Sequence, residues 1–104
     1  MKDSVFIKII DFKYRGRCSI TRDNKEYIIN SLYVRNANRR KGVGTELLSS
    51  AEDIISKLGG EYSYLYVREV DKWQHDWYKR LGYSDMKVKC DSGFVKMKKK
   101  NKMI

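Results

Sequence analysis

Hydrophobic residues switch period along this chain, and that switching limits what it can fold into. Up to Val34 apolar side chains tend to alternate. From Val43 they recur at spacings of three and four (Val43, Leu47, Leu48, Ala51, Ile54, Ile55 and Leu58), and from Tyr62 alternation resumes. The middle stretch places Glu46, Ser49, Ser50, Asp53 and Lys57 on the other side, so it predicts an amphipathic helix with one face for a core. Gly59-Gly60 follows, where a glycine can take the left-handed conformation that stops a helix. A strand, a helix-length crossover and a parallel strand make a βαβ unit.

The flanks add strands. Ser4 to Ile10 and Arg17 to Thr21 are short β-branched stretches separated by Tyr14-Arg15-Gly16, and Asp23-Asn24 marks a second turn. Glu26 to Val34 reads as a central strand, with Tyr27, Ile29 and Tyr33 on one face and Ile28, Leu32 and Val34 on the other. Tyr62 to Val67 is the second parallel strand. Asp71 can cap a further helix, Lys72 to Leu81, in which Trp73, Trp77 and Leu81 share a face and Gly82 supplies the stop. Met86, Val88 and Cys90 alternate with lysines, Asp91-Ser92-Gly93 turns the chain, and Val95 and Met97 complete a terminal hairpin. The expected order is βββαβαββ, an α/β fold with a mixed sheet and two main helices.

With 104 residues, no proline, no linker and no internal repeat, residues 1–104 read as one domain. Residues 96–104 are mostly lysine and are expected to fray into a mobile basic tail. Apolar residues make up 41%, enough for a core, so the 35% charged fraction is read as a solvated surface rather than disorder. No apolar run approaches the roughly 18 to 20 residues of a membrane helix, and the first residues carry an acid and no small-residue cleavage site. The expectation is a cytoplasmic protein with no membrane partner. A composition rich in Lys, Asn, Ile and Tyr fits an AT-rich genome, hence a bacterial or virus-infected cell. Cys18 and Cys90 lack CxxC spacing and are expected to be reduced. With His75 the only histidine, no His-rich metal cluster can form, and no metal is expected.

Between the central strand and the first helix runs Arg35-Asn36-Ala37-Asn38-Arg39-Arg40-Lys41-Gly42-Val43-Gly44-Thr45. Glycines let a backbone approach a ligand closely, and the first amides of a helix lack intrahelical partners at its positive end. Such a loop is a ready pyrophosphate cradle. The loop alone is equally compatible with a plain strand-to-helix turn. Neither Gly-x-x-x-x-Gly-Lys-Ser/Thr nor Gly-x-Gly-x-x-Gly is present. What is present, Arg39-x-x-Gly42-x-Gly44, resembles the acyl-CoA pyrophosphate signature of the GNAT-type N-acetyltransferase superfamily, Gln/Arg-x-x-Gly-x-Gly/Ala. Leu32-Tyr33-Val34, Leu47-Leu48, Leu65-Tyr66-Val67 and Trp77-Tyr78-Lys79-Arg80-Leu81-Gly82-Tyr83 fall where that family places equivalents. The resemblance spans residues 26 to 85.

This resemblance implies acetyl-CoA as co-substrate, its pyrophosphate held by the backbone of Arg39, Arg40, Lys41, Gly42, Val43, Gly44 and Thr45. The pantetheine arm would lie along Leu32 and Val34, like an added strand. The amide of Val34 would polarise the thioester carbonyl. The implied reaction is direct attack of a neutral amine through a tetrahedral intermediate, with Tyr78 protonating the departing thiolate. The base stays open among Glu26, Glu69, Asp71 and a water relay; Glu26 lies two residues from where some members carry a catalytic glutamate. Asp71 stands where the family often has Asn, at a contact to the pantetheine. The chain lacks the strand and two helices that usually precede the first hairpin, so the acceptor side is either open to a protein surface or closed by a second copy in a homodimer.

At a net charge of +10, an acidic or nucleic-acid-associated protein amine, a lysine or an N-terminus, is the expected acceptor. A small-molecule amine, or a non-catalytic acyl-CoA-binding or nucleic-acid-binding module, are the rival readings. The lysines of the last hairpin either dock on a polyanion or only solvate the end of the chain.

Overall fold

A computed structural model describes residues 4–13, 15–35 and 41–102. Among these residues, six strands and two helices follow in the order β1 (Ser4–Phe12), β2 (Gly16–Asp23), β3 (Glu26–Val34), α1 (Val43–Lys57), β4 (Tyr62–Arg68), α2 (Lys72–Arg80), β5 (Ser84–Cys90) and β6 (Phe94–Lys100). A short 3₁₀ turn at Asp91–Gly93 joins the last two strands. The sheet order is β1-β2-β3-β4-β6-β5, with β3 and β4 the parallel pair and the other neighbours antiparallel. This is the mixed α/β sheet with two helices that the hydrophobic periods predict.

Both helices sit on one side of the sheet. The α1 stripe of Val43, Leu47, Leu48, Ala51 and Ile55 packs against Cys18 and Ile20 of β2, Ile29 of β3, Leu65 and Val67 of β4 and Met97 of β6. Each large aliphatic side chain fully buried here contributes about 1.5–3 kcal/mol, which makes this stripe the chief reason that α1 is a helix in this place. Gly60 is the point of closest approach after α1: a Cβ there would lie 2.5 Å from Ile55 Cγ2 and 2.8 Å from the Tyr27 ring.

The facing of β3 departs from simple alternation. In the β2–β3 ladder Ser19 pairs with Asn30 and Arg17 with Tyr33, so Ser31 and Leu32 together oppose Cys18. Ser31 takes φ 55°. This is a β-bulge, and it shifts the phase of every side chain beyond it. Leu32 and Val34 therefore join Tyr27 and Ile29 against the helices, and they do not share the face of Ile28 as alternation predicts.

The lysine-rich end is also better anchored than composition suggests. β6 pairs with β4 over its whole length, from Arg68–Phe94 to Tyr62–Lys100. Lys99 Nζ donates to Glu52 Oε1 at 3.0 Å. Asn101 is buried; its amide N–H donates to Glu61 O at 2.8 Å, its Nδ2 donates to Gly60 O at 3.0 Å, and its Oδ1 accepts from Ser63 Oγ at 2.7 Å. Alternation with Val95 and Met97 carries the strand through the lysines. Fraying from Lys96 is thus corrected through Lys102, whose carbonyl accepts from Ser56 Oγ.

His75 is half-buried, three positions before buried Tyr78 on the same side of α2, and its Nε2 is enclosed without a hydrogen-bond partner. Cys18 is buried and Cys90 half-buried, both as free thiols. No helix among the described residues is long and apolar enough to cross a membrane.

Candidate active site

β3 and β4 pair only at Tyr27–Ser63 and Ile28–Tyr64. A bulge bends its strand and increases local twist, and Ser31 lies three residues past Ile28, the last residue of β3 paired with β4. The two strands then separate. A cleft of about 690 Å³ opens there, lined by Leu32 and Val34 of β3, Gly42, Gly44 and Thr45 at the start of α1, and Asp71, Trp73, Gln74, Trp77, Tyr78 and Arg80 of α2 and its approach.

At the start of α1, Gly42 occupies the N-cap position with φ 79° and no side-chain capping bond. The first amides of the helix are therefore not satisfied by a cap, and the helix dipole adds positive potential where they point. A Cβ on Gly42 would meet nothing within 4 Å, whereas one on Gly44 would lie 3.1 Å from the Trp77 ring. The first glycine serves the left-handed turn, and the second lets α2 pack against the helix start. Open glycine backbone, uncapped amides and a long groove leading away from them fit a phosphate-bearing ligand with an extended arm.

Tyr78 is 7% exposed and sits among aromatic rings, 5.0 Å from Trp77 and 5.8 Å from Tyr83 between centroids. Burial, helped by Cys18 and Asp71, pushes its hydroxyl up to about 12. At neutral pH it is a proton donor held in its neutral form. Tyr83 donates to Glu52 Oε2 at 2.8 Å and ties the end of α2 to α1; burial and then Glu52 push its hydroxyl far up as well. Burial pushes the Cys18 thiol up to about 11, so it is an inert core group.

Of the residues expected from sequence to contact the cofactor, Leu32, Val34, Gly42, Gly44, Thr45 and Asp71 line the cleft, as does Tyr78. Val43 turns its side chain into the core, leaving only its main chain available at the helix start, and Lys41 is exposed on the adjoining turn. Arg39 and Arg40 lie outside the described residues. Asp71 occupies the N-cap of α2 without making a capping bond; its ψ of 70° departs from the extended form in which a cap reaches the second or third amide. Glu26 is not brought to the cleft. It starts β3 at the opposite end, its carboxylate bonded to Lys96 Nζ at 2.5 Å, and the bulge puts it on the other face of the sheet from Leu32.

The face that Trp73 and Trp77 share on α2 supplies two further cleft residues. Trp73 is 69% exposed and stacks nearly parallel on Trp77, with centroids 6.3 Å apart and planes 6° apart. An i, i+4 aromatic pair signals a shared face but not whether that face is covered. Gln74 and Arg80 complete the wall.

Residues 2–85 match the family of the acetyltransferase (GNAT) domain, which is most of the chain. The chain belongs to the GNAT acetyltransferase family. It is 37% identical over 63 residues to a chloroplastic GCN5-related N-acetyltransferase 5 of Arabidopsis thaliana, a match covering 60% of this chain and 19% of that protein. Its fold is similar to that of the PaiA N-acetyltransferase of Thermoplasma acidophilum, solved in complex with coenzyme A: TM-score 0.72, 24% identity, covering 83% of this chain and 53% of that one. It is similar too to the ribosomal-protein-S18-alanine N-acetyltransferase of Escherichia coli, with TM-score 0.73, 18% identity, and coverage of 95% and 71%. The chain thus spans about a fifth of the plant relative and about half of the Thermoplasma structure.

Proposed function

We propose that this chain is an acetyl-CoA-dependent N-acetyltransferase whose acceptor is a primary amine of a protein, a lysine or an N-terminus. The observation that carries this reading is one continuous cleft that joins the uncapped start of α1 to the neutral hydroxyl of Tyr78 across the split between β3 and β4. The pyrophosphate of acetyl-CoA fits the amides of Val43, Gly44 and Thr45, and the pantetheine arm fits the groove along Leu32 and Val34. Trp73 offers a flat exposed ring at the mouth, suited to the adenine. In this role the Val34 amide is the donor to the thioester oxygen, and Tyr78 supplies the proton to the sulfur as the amine displaces it.

A protein acceptor draws its support from a neighbour in fold. The Escherichia coli protein of similar fold is named for an alanine of a ribosomal protein, and the coenzyme A complex of the Thermoplasma protein supports the same donor here.

Isothermal titration of acetyl-CoA into the protein is the direct test. A stoichiometric isotherm that weakens at least tenfold in Gly42→Val, whose side chain opposes the left-handed turn, is the expected result. Absence of binding by the wild-type chain would refute the cofactor reading.

A further inference from the structure

The sheet face opposite α1 and α2 carries a pattern that the cleft does not use. Side chains alternate along β4, so Ser63, Leu65 and Val67 enter the core while Tyr62, Tyr64 and Tyr66 stand on the opposite face. The β4–β6 register sets Lys100, Lys98 and Lys96 beside those three tyrosines. Lys98 Nζ lies 4.7 Å from the centre of the Tyr62 ring and Lys96 Nζ 4.8 Å from that of Tyr64. Tyr66 is 38% exposed. Glu26 enters this ladder from β3, and its charge is met by Lys96, so Lys98 and Lys100 leave the row net positive.

We propose that this tyrosine–lysine row on β4 and β6 binds single-stranded nucleic acid, with bases stacked on the tyrosines and phosphates on the lysines. Alternate residues of a strand stand about 7 Å apart, which spaces the rings for successive bases of an extended strand. The Tyr62 and Tyr64 rings under these lysines are half-buried and Tyr66 is exposed; a lysine over a partly exposed ring makes a weak contact, and a phosphate is a better partner for the Lys98 ammonium. Moving the lysine to the phosphate leaves the ring face for a base. A duplex keeps its base faces inside its own stack and can offer only phosphates. An acidic peptide would likewise meet the lysines while leaving the tyrosine row without a function. Sheet faces that stack bases on aromatic side chains beside cations are an established mode of single-strand recognition. None of these residues lines the acyl-CoA cleft, so the inference does not depend on the acetyltransferase reading.

The test is fluorescence anisotropy of a labelled oligothymidine of about 20 nucleotides, titrated with protein at several salt concentrations, beside a duplex of equal length. The single strand is expected to bind more tightly than the duplex. Tyr66→Ala should weaken the single-strand complex about 5- to 100-fold with little effect on the duplex, while Tyr66→Phe keeps the ring and should keep the affinity. Replacing Lys98 and Lys100 by Gln should flatten the dependence of log affinity on log salt by about 0.7 for each phosphate that is no longer neutralised. Thermal melting and acetyl-CoA titration of each variant separate a damaged surface from a damaged fold. Equal affinity for duplex and single strand, no effect of Tyr66→Ala, or no binding at all would overturn the proposal, the first two leaving only the general attraction of a +10 chain for polyanions.

Discussion

Where β3 and β4 pair, at Tyr27–Ser63 and Ile28–Tyr64, the neighbouring polar groups are held by protein: Ser63 by Asn101, Gly60 O by Asn101 Nδ2, Glu26 by Lys96. Farther along the same two strands, past the bulge at Ser31, the walls are two glycines at an uncapped helix start, a neutral buried tyrosine and an exposed tryptophan. One end of the seam spends its polar groups on holding the sheet together, and the other leaves them facing a cleft. The bulge lies on the open side of this division and turns Leu32 and Val34 towards the helices and the cleft. Changes at the open end should therefore alter chemistry without altering stability much, and changes at the paired end should do the reverse.

Tyr78→Phe is the sharpest test of the open end. It removes one hydroxyl and no packing, so turnover should fall by about 100-fold or more while the acetyl-CoA dissociation constant and the melting temperature hardly move. The wild-type pH profile sharpens this further. An acid catalyst fails once it ionises, and burial holds this hydroxyl near 12, so turnover should show no alkaline limb from Tyr78 at pH 10 or below. The same shift acts on stability. Its folded value lies above the ordinary 10.0, so the stability linked to it is complete below pH 10 and lost as pH rises towards 12. A turnover unchanged by the substitution would remove Tyr78 from the chemistry.

Asn101→Ala addresses the paired end. It strips Ser63 Oγ and the Gly60 carbonyl of their buried partner, and a buried polar group left unsatisfied costs about 1–3 kcal/mol. Chemical denaturation should record a loss of that size with acetyl-CoA affinity unchanged. If affinity fell in step with stability, the two ends would not be separable in the way their contacts indicate.

How far the sequence carries the structure depends on the range of the forces involved. The helix from Val43, its stop at Gly59-Gly60 and the glycine-rich cradle are legible because they are set by local periodicity and local backbone freedom. The bulge is not. Ser31 is itself neither the glycine nor the asparagine that usually announces a positive φ, and the shift is fixed by pairing with β2. That one slip moved Leu32 and Val34 to the helix side and separated them from Glu26. The lysine tail misleads for a related reason: the groups that anchor it, Glu52, Gly60 and Glu61, lie about 40 residues away in sequence. Composition registers the charges of a tail but not such distant partners.

Glu26→Gln should have the smallest effect, and it tests whether the two ends are functionally independent. If Glu26, one of the candidates that the sequence leaves open for the general base, filled that role, removing its carboxylate would change the pH dependence of turnover. Its placement argues for the opposite result. It lies before the bulge, on the far face of the sheet from Leu32, and its charge is already engaged by Lys96. A base must reach the acceptor proton directly or through one water, and nothing in the walls of the cleft brings Glu26 there. The expected outcome is turnover within about twofold of wild type and an unchanged pH profile. The loss of stability should be no more than about 1 kcal/mol, as for other partly exposed ion pairs. A displaced pH profile would mean that the paired end reaches the reaction through ordered water, and the division of the seam into a structural end and a chemical end would have to be abandoned.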